Sequence, residues 1–284
     1  MTSKEILQQW KLDCNQAREL IIRASHKAGA GHTGGSLSAI EIFRGCLATM
    51  RFNPHDPESE GNDWLVLSKG HACLGWYAML AQQQYITTEE LLTFERLDSR
   101  LQGHIDRGHF YPFARISTGS LGQGLSAGIG MRLSMLRKNR QGRVVVILGD
   151  GECQEGMVLE AIMYAGYHKV AGLVAIMDNN KFQLVGETDK ILNMGPMRKV
   201  CESFGWKTAE IDGHDIEQVV DALKTGLKNR EQPVLIVANT MKGQGISFIQ
   251  GDFRWHHRAP NDQEKEQAIK ELQQARQKLM TEVE

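Results

Sequence analysis

The sequence predicts an α/β fold: a three-layer open sheet, mostly parallel, with helices on both faces. Two stretches and the segment joining them carry that prediction. Val144 to Gly151 reads VVVILGDG, a β-branched run halted by two glycines, as expected of a buried parallel strand that ends beside a ligand. Leu173 to Asn180 reads LVAIMDNN and repeats the logic. Between them Cys153 to Lys169 has helical periodicity and the length of a crossover, so the unit is βαβ, with Asp150 and Asn180 at the carboxyl ends of its strands. That edge is where open α/β sheets bind ligands.

The other elements follow in order. The N-terminal stretch reads as an amphipathic helix ending near Ala28, because Gly29, Gly31, Gly34 and Gly35 break its periodicity. A glycine-rich loop bearing His32 follows, and a second helix is predicted from Ser36 to about Met50, closed off by Pro54 and Pro57. Asp63 to Ser68 is a short strand leading into Lys69-Gly70-His71, and Ala72 to Gln83 is helical. Thr87 or Thr88 caps a short helix. An irregular segment from Leu97 to Thr118 contains His104 and His109, and a loop that long is often functional. It runs into Ser117-Thr118-Gly119-Ser120-Leu121-Gly122-Gln123-Gly124, which opens a helix to about Asn139. Amides at such a helix start favour an anion, although the same glycines could serve close helix packing. Met197 to Phe204 and Ile216 to Asn229 read as helices, and Val234 to Thr240 as another buried strand ended by Lys242-Gly243-Gln244-Gly245. From Asp262 onward the chain is polar and helix-prone. The predicted organisation is one domain over 1–260 with a C-terminal helical extension or linker over 261–284.

Composition excludes several classes. With 33 basic and 34 acidic residues the net charge is −1, and the basic residues form no nucleic-acid footprint. No run of about eighteen apolar residues suggests a membrane span. The N-terminus lacks the apolar core and cleavage site of a signal peptide. The 5 cysteines, Cys14, Cys46, Cys73, Cys153 and Cys201, are scattered without paired spacing, which fits neither a disulfide framework nor a zinc site. A soluble, cytoplasmic protein is expected.

Asp150 and Asn180 supply a carboxylate and an amide oxygen, a hard set suited to Mg²⁺ or Ca²⁺ that shares its ion with a phosphate group. Gly149 and Gly151 would let the backbone approach that phosphate. Read separately, Asp150 could instead cap the following helix, and Asn179-Asn180 could form a turn. The pair, a GDG followed by an N about thirty residues on, resembles the metal motif of the thiamine diphosphate enzymes. AGAGHTGGSLSAIEI, SKGHA, QGH with STGSLGQG, GDGECQEG and MDNNKFQ, in that order, narrow the resemblance to the transketolase family.

The resemblance covers almost the whole chain but only the diphosphate-binding domain of that family. It implies the thiamine diphosphate-binding fold, and thiamine diphosphate with Mg²⁺ or Ca²⁺ as cofactors. Asp150, Asn180 and the Phe182 carbonyl would hold the metal. His71, Gly119, Leu121, Gly149, Asp150, Gly151 and Asn180 would bind the cofactor. His32, His104 and His256 would face the sugar as hydrogen-bond donors or proton relays. Glu155 and Glu160 match glutamates at the family's subunit interface, although acidic residues are favoured near a helix start in any case. Since the pyrimidine-binding domain has no counterpart, the chain looks like the N-terminal subunit of a split transketolase. It is expected to work with a second polypeptide in an α2β2 assembly on sugar or sugar phosphate substrates. Thr33, Ile105, Phe113-Ala114 and His257 depart from the family pattern on the substrate side, which points to an unusual sugar. The alternatives are a non-catalytic assembly or regulatory subunit of the same fold, and a nucleotide-binding Rossmann enzyme. No complete G-x-G-x-x-G follows a strand. A 1-deoxyxylulose-phosphate synthase or keto-acid dehydrogenase component shares the metal motif but explains the SKGHA and STGSLGQG loops less well.

Overall fold

The structure, a computed structural model, describes residues 2–281. Helix α1 (Ser3–Ala28) starts with a capping box, in which Thr2 and Glu5 exchange side-chain and backbone bonds, and stops at Gly29 with φ 69°. Then come α2 (Thr33–Ser38), α3 (Ile40–Thr49), β1 (Trp64–Leu67), α4 (Cys73–Gln82), α5 (Thr88–Leu91) and α6 (Arg107–Phe110). The central part holds α7 (Gln123–Arg137), β2 (Val144–Gly149), α8 (Gly156–Tyr167) and β3 (Leu173–Asn179). A small antiparallel hairpin of β4 (Phe182–Gln183) and β5 (Gly186–Glu187) leads through α9 (Thr188–Ile191) to α10 (Met197–Ser203). The chain then forms β6 (Lys207–Asp212), α11 (Ile216–Lys228), β7 (Val234–Asn239) and α12 (Asp262–Thr281).

The sheet has five parallel strands in the order β1-β2-β3-β7-β6. Alternation along each strand feeds two cores. Leu65, Leu67, Val145, Ile147, Val174, Ile176, Val234 and Ile236 pack with the side of α1 to α4 and α11. Val66, Val144, Val146, Leu148, Leu173, Ala175, Met177, Leu235 and Val237 pack with α7, α8 and α10. Burial on both faces is why the central strands read as unbroken apolar runs. The helices lie on both faces, as the sequence predicts.

Three local differences have physical causes. Helix α2 begins at Thr33, where the sequence predicts a loop to Ser36. Its glycines serve contact rather than a break, because a Cβ on Gly34 would stand 2.9 Å from the Trp255 carbonyl. The helical stretch then breaks at Ala39, beside Ser38, whose hydroxyl donates to Gly35 O and to Asp178 Oδ2. Strand β6 is not predicted from the sequence. Its segment KTAEID is an edge strand with Lys207 and Glu210 turned outward, so it shows no apolar run. The final helix α12 packs along α1 and buries Ala268 and Leu272. No described helix is long and apolar enough to cross a membrane.

Candidate active site at the carboxyl edge of the sheet

Asp150 follows β2 directly and Asn180 follows β3, so adjacent parallel strands place them side by side. Asp150 is 8% exposed and its oxygens are partly engaged. Oδ1 accepts from Gly151 N at 2.8 Å, so Asp150 does cap the 3-10 turn Gly151–Gln154. Oδ2 accepts from Lys181 N at 2.7 Å and from Thr188 Oγ1 at 3.0 Å. Burial, and next the charge of Asp178, hold its carboxyl above the usual carboxylate range. Asn180 donates Nδ2 to Asp178 Oδ2 at 3.1 Å, which leaves its oxygen turned to Phe182 N, also 3.1 Å away.

Asp178 is fully buried and faces the α2 side. It accepts from Lys69 Nζ, from Ser38 and Thr240 hydroxyls and from Asn180. Burial pushes its carboxyl up, but Lys69 and the hydroxyls outweigh that and leave it below its ordinary value. Lys242, 1% exposed, follows β7 and lies 2.9 Å from His256 Nδ1 and 3.3 Å from the Phe182 carbonyl. Burial first, then Lys69, lower Lys242 to about 8. Among the described residues no carboxylate forms an ion pair with it.

Above these charges stands a group of histidines. The His32 ring centre lies 5.2 Å from that of His71, 5.4 Å from His104, 5.5 Å from His256 and 4.5 Å from His257. His71 and His256 are 5.1 Å apart. Burial is the largest cause that lowers all of His32, His71, His104 and His256, with neighbouring cationic groups adding to it for His32, His71 and His256. His32 and His256 each fall to about 3. These imidazoles are therefore neutral near pH 7. His256 accepts the Lys242 ammonium at Nδ1 and so carries its proton on Nε2. His32 Nδ1 and Ser36 Oγ are buried with no hydrogen-bond partner among the described residues.

Glu152 ties the loops together. Its carboxylate accepts from Ser68 Oγ, from Gly122 N at 2.9 Å and from Gly149 N at 3.0 Å. It thus joins the ends of β1 and β2 to the start of α7. Gly119 (φ 152°) brings its segment within 3.0 Å of the His104 ring, measured from where a Cβ would stand. Leu121 is half-buried in the same loop. Gly151 lies against Gln183, with 2.9 Å between a Cβ there and the Gln183 Cβ. Glu155 and Glu160 sit apart, on the exposed face of α8 and its N-cap. His109 pairs with Asp106 at the surface of α6.

The structure thus brings His32, His71, His104 and His256 together and sets Asp150 beside Asn180. Sequence reasoning missed Lys69, Lys242 and Glu152; it singled out His257 only as a substrate-side departure, and the structure makes it the fifth ring. The lysines had a signal, since each follows the end of a parallel strand and precedes a glycine.

A sheet edge of this kind, with an oxygen donor set beside buried ammonium groups, defines an α/β protein that binds an anionic cofactor. Residues 10–280 match the transketolase, thiamine diphosphate binding domain, and the chain belongs to that family. It is 37% identical over 256 residues to one of the subunits of an apulose-4-phosphate transketolase from Actinobacillus succinogenes, covering 90% of this chain and 92% of that one. A 6-deoxy-6-sulfo-D-fructose transketolase subunit SqwG of a Clostridium species is 36% identical, with 91% and 94% covered. Human transketolase is 37% identical across 94% of this chain but only 42% of its own length. Transketolase of Campylobacter jejuni superposes with a TM-score of 0.85 at 27% identity, covering 96% of this chain and 43% of that one.

Proposed function

We propose that the chain is the N-terminal, diphosphate-binding subunit of a two-chain transketolase that moves a two-carbon ketol unit from a ketose or ketose phosphate to an aldose. One observation carries the reading. Among the described residues the buried Asp150 carboxylate has no cationic side chain paired with it and the buried Lys242 ammonium has no carboxylate, and Lys242 lies 3.3 Å from the Phe182 carbonyl. A divalent ion on a diphosphate neutralises both. The family match, and relatives of nearly the same extent that are named as transketolase subunits, support the two-chain arrangement.

Asp150, Asn180 and the Phe182 carbonyl would hold Mg²⁺ or Ca²⁺, a set of oxygen donors only. Thiamine diphosphate, when bound, supplies the electron sink that lets a carbon–carbon bond break. Gly119, Leu121, Gly149 and Gly151 would keep backbone close to it, and His71 and Lys242 would offer donors to its anionic end. His32, His104 and His256 are neutral, so His32 and His104 can donate to or accept from a sugar hydroxyl without a charge change. His256 Nε2–H is a donor fixed in tautomer by Lys242. Crowding of His257 on His32 narrows the sugar side, which fits an unusual substrate, as the names of the two bacterial relatives record for theirs.

Residues 1–260 are the diphosphate-binding domain in this reading, and the segment from 261 is its helical extension. Exposed Met157, Met163, Tyr164 and Tyr167 on α8, beside Glu155 and Glu160, make the face on which an α2β2 assembly would meet. The location is taken to be cytoplasmic. The test is ketol transfer with Mg²⁺ and thiamine diphosphate, by this chain alone and after co-expression with a chain carrying the pyrimidine-binding domain. Activity only in the mixture is expected. Activity of the chain alone refutes the two-chain reading, and absence from both across a panel of ketoses favours the non-catalytic role.

A further inference from the structure

The turn that carries Lys242 is gripped at both ends. Met241 N donates to His214 Nε2 at 2.7 Å, and the Gln244 carbonyl accepts from Arg18 Nε at 3.0 Å. Both grips run back to one carboxylate. Arg18 Nη2 lies 2.7 Å from each oxygen of Glu41, and His214 Nδ1 lies 3.1 Å from Glu41 Oε2. Because His214 Nε2 accepts the Met241 amide, its proton stands on Nδ1 and is donated to Glu41. Arg18 and Glu41 are buried, at 7% and 6% exposure. Burial pushes the Glu41 carboxyl up, but Arg18 and His214 outweigh it and hold it ionised below its ordinary value.

These groups come from separate parts of the chain: Arg18 from α1, Glu41 from α3, His214 from the turn between β6 and α11, and the gripped segment from the end of β7. Two glycines permit the approach. A Cβ on Gly213 would stand 2.4 Å from Thr240 Cγ2, and one on Gly245, at φ 93°, 2.8 Å from Arg18 Cδ. Lys242 lies between the grips, and its ammonium reaches His256 Nδ1 and the Phe182 carbonyl.

We propose that Glu41, with Arg18 and His214 as its arms, is a positioning centre that holds the Met241–Gln244 turn and thereby aims Lys242 at His256 and the Phe182 carbonyl. None of the three touches the site, so each acts through the turn. The functional consequence rests on the proposed reading of the site as a metal–diphosphate pocket. The mechanical part does not.

The experiment uses the full chain, His214→Leu and His214→Gln, the latter keeping an amide that can accept from Met241 N–H or donate to Glu41. Amide hydrogen exchange across 241–251 is followed without cofactor. Thiamine diphosphate with Mg²⁺ is then titrated by tryptophan fluorescence, and KM and kcat are measured with the partner chain. In His214→Leu the 241–245 amides should exchange about tenfold faster or more, with the sheet amides unchanged. Cofactor dissociation should rise about tenfold, as for loss of a group that orients a ligand-binding residue, while the KM for the sugar stays within about threefold. His214→Gln should recover most of both effects. His214→Ala replaces His214→Leu if that variant does not fold.

Unchanged exchange in 241–245 overturns the clamp. Faster exchange with unchanged cofactor affinity, or no recovery in His214→Gln, overturns its role toward the site. Wild-type protein that binds no thiamine diphosphate even with the partner chain present refutes the reading of the pocket instead, and the cofactor-free exchange comparison still decides the clamp.

Discussion

Replacing Lys69 by methionine removes one half of an ion pair whose side chains are 1% and 0% exposed. Asp178 would then be a fully buried carboxylate with only hydroxyl and amide donors, from Ser38, Thr240 and Asn180. Breaking a buried pair from one side costs about 3–5 kcal/mol. The three surviving donors place this case at the lower end, about 3 kcal/mol. Asp178→Asn, which strands the Lys69 ammonium against the Gly35 carbonyl alone, should cost a similar amount. The double variant leaves neither charge of the pair and should cost about 1–2 kcal/mol, so the two single effects together exceed the double by about 4–5 kcal/mol. Urea unfolding of the chain at pH 7 measures each term. The pH dependence carries a sign. The folded Asp178 carboxyl lies below its ordinary value, so its stabilisation is present above the unfolded value of about 3.9 and is lost as pH falls through the folded one. In Lys69→Met burial acts without its compensating charge and raises the carboxyl, so the gap from wild type should begin to shrink as pH falls through that raised value and go on shrinking below about 4. A single-variant cost under about 1 kcal/mol, or additive single effects, would show that the pair is solvated and refute the reasoning.

Asp150→Asn keeps the side-chain shape and should weaken Mg²⁺-dependent thiamine diphosphate binding about hundredfold or more, measured by calorimetry. The same variant without ligand should be no less stable than wild type at pH 7. A raised carboxyl value means that the contribution of Asp150 is present at low pH and lost as pH rises through it, a loss that asparagine escapes. His32 and His256, lowered to about 3 each, should add stability above their unfolded value near 6.5 that declines as pH falls from there toward 3. His32→Asn with His256→Asn should therefore flatten the acid slope of the unfolding midpoint, and an unchanged slope would contradict their burial as neutral rings. Gly70→Ala places a Cβ 2.5 Å from Thr118 Oγ1 and 2.8 Å from Thr118 O. It should cost about 1–3 kcal/mol in thermal unfolding and shift the loop that carries Gly119.

The sequence by itself determined the parallel core and the pair at its edge. Strands β1, β2, β3 and β7 are legible because burial on both faces demands unbroken apolar runs, and a strand followed by GDG or DNN announces a polar end. The order of its histidine loops was enough to place the chain in its family. Strand β6 escaped because an edge strand carries charge outward and needs no such run. The start of α2 escaped because its Gly34 answers to Trp255 and Lys242, residues more than two hundred positions away. Tertiary structure alone decided that His71, His104, His256 and His257 converge on His32, that Lys69 spends its charge on Asp178 while Lys242 keeps its own, and that Glu41 reaches the site through a turn it never touches. Charge balance and hydrogen-bond partners are set by distances across the fold, and a local pattern of residues holds no record of those distances.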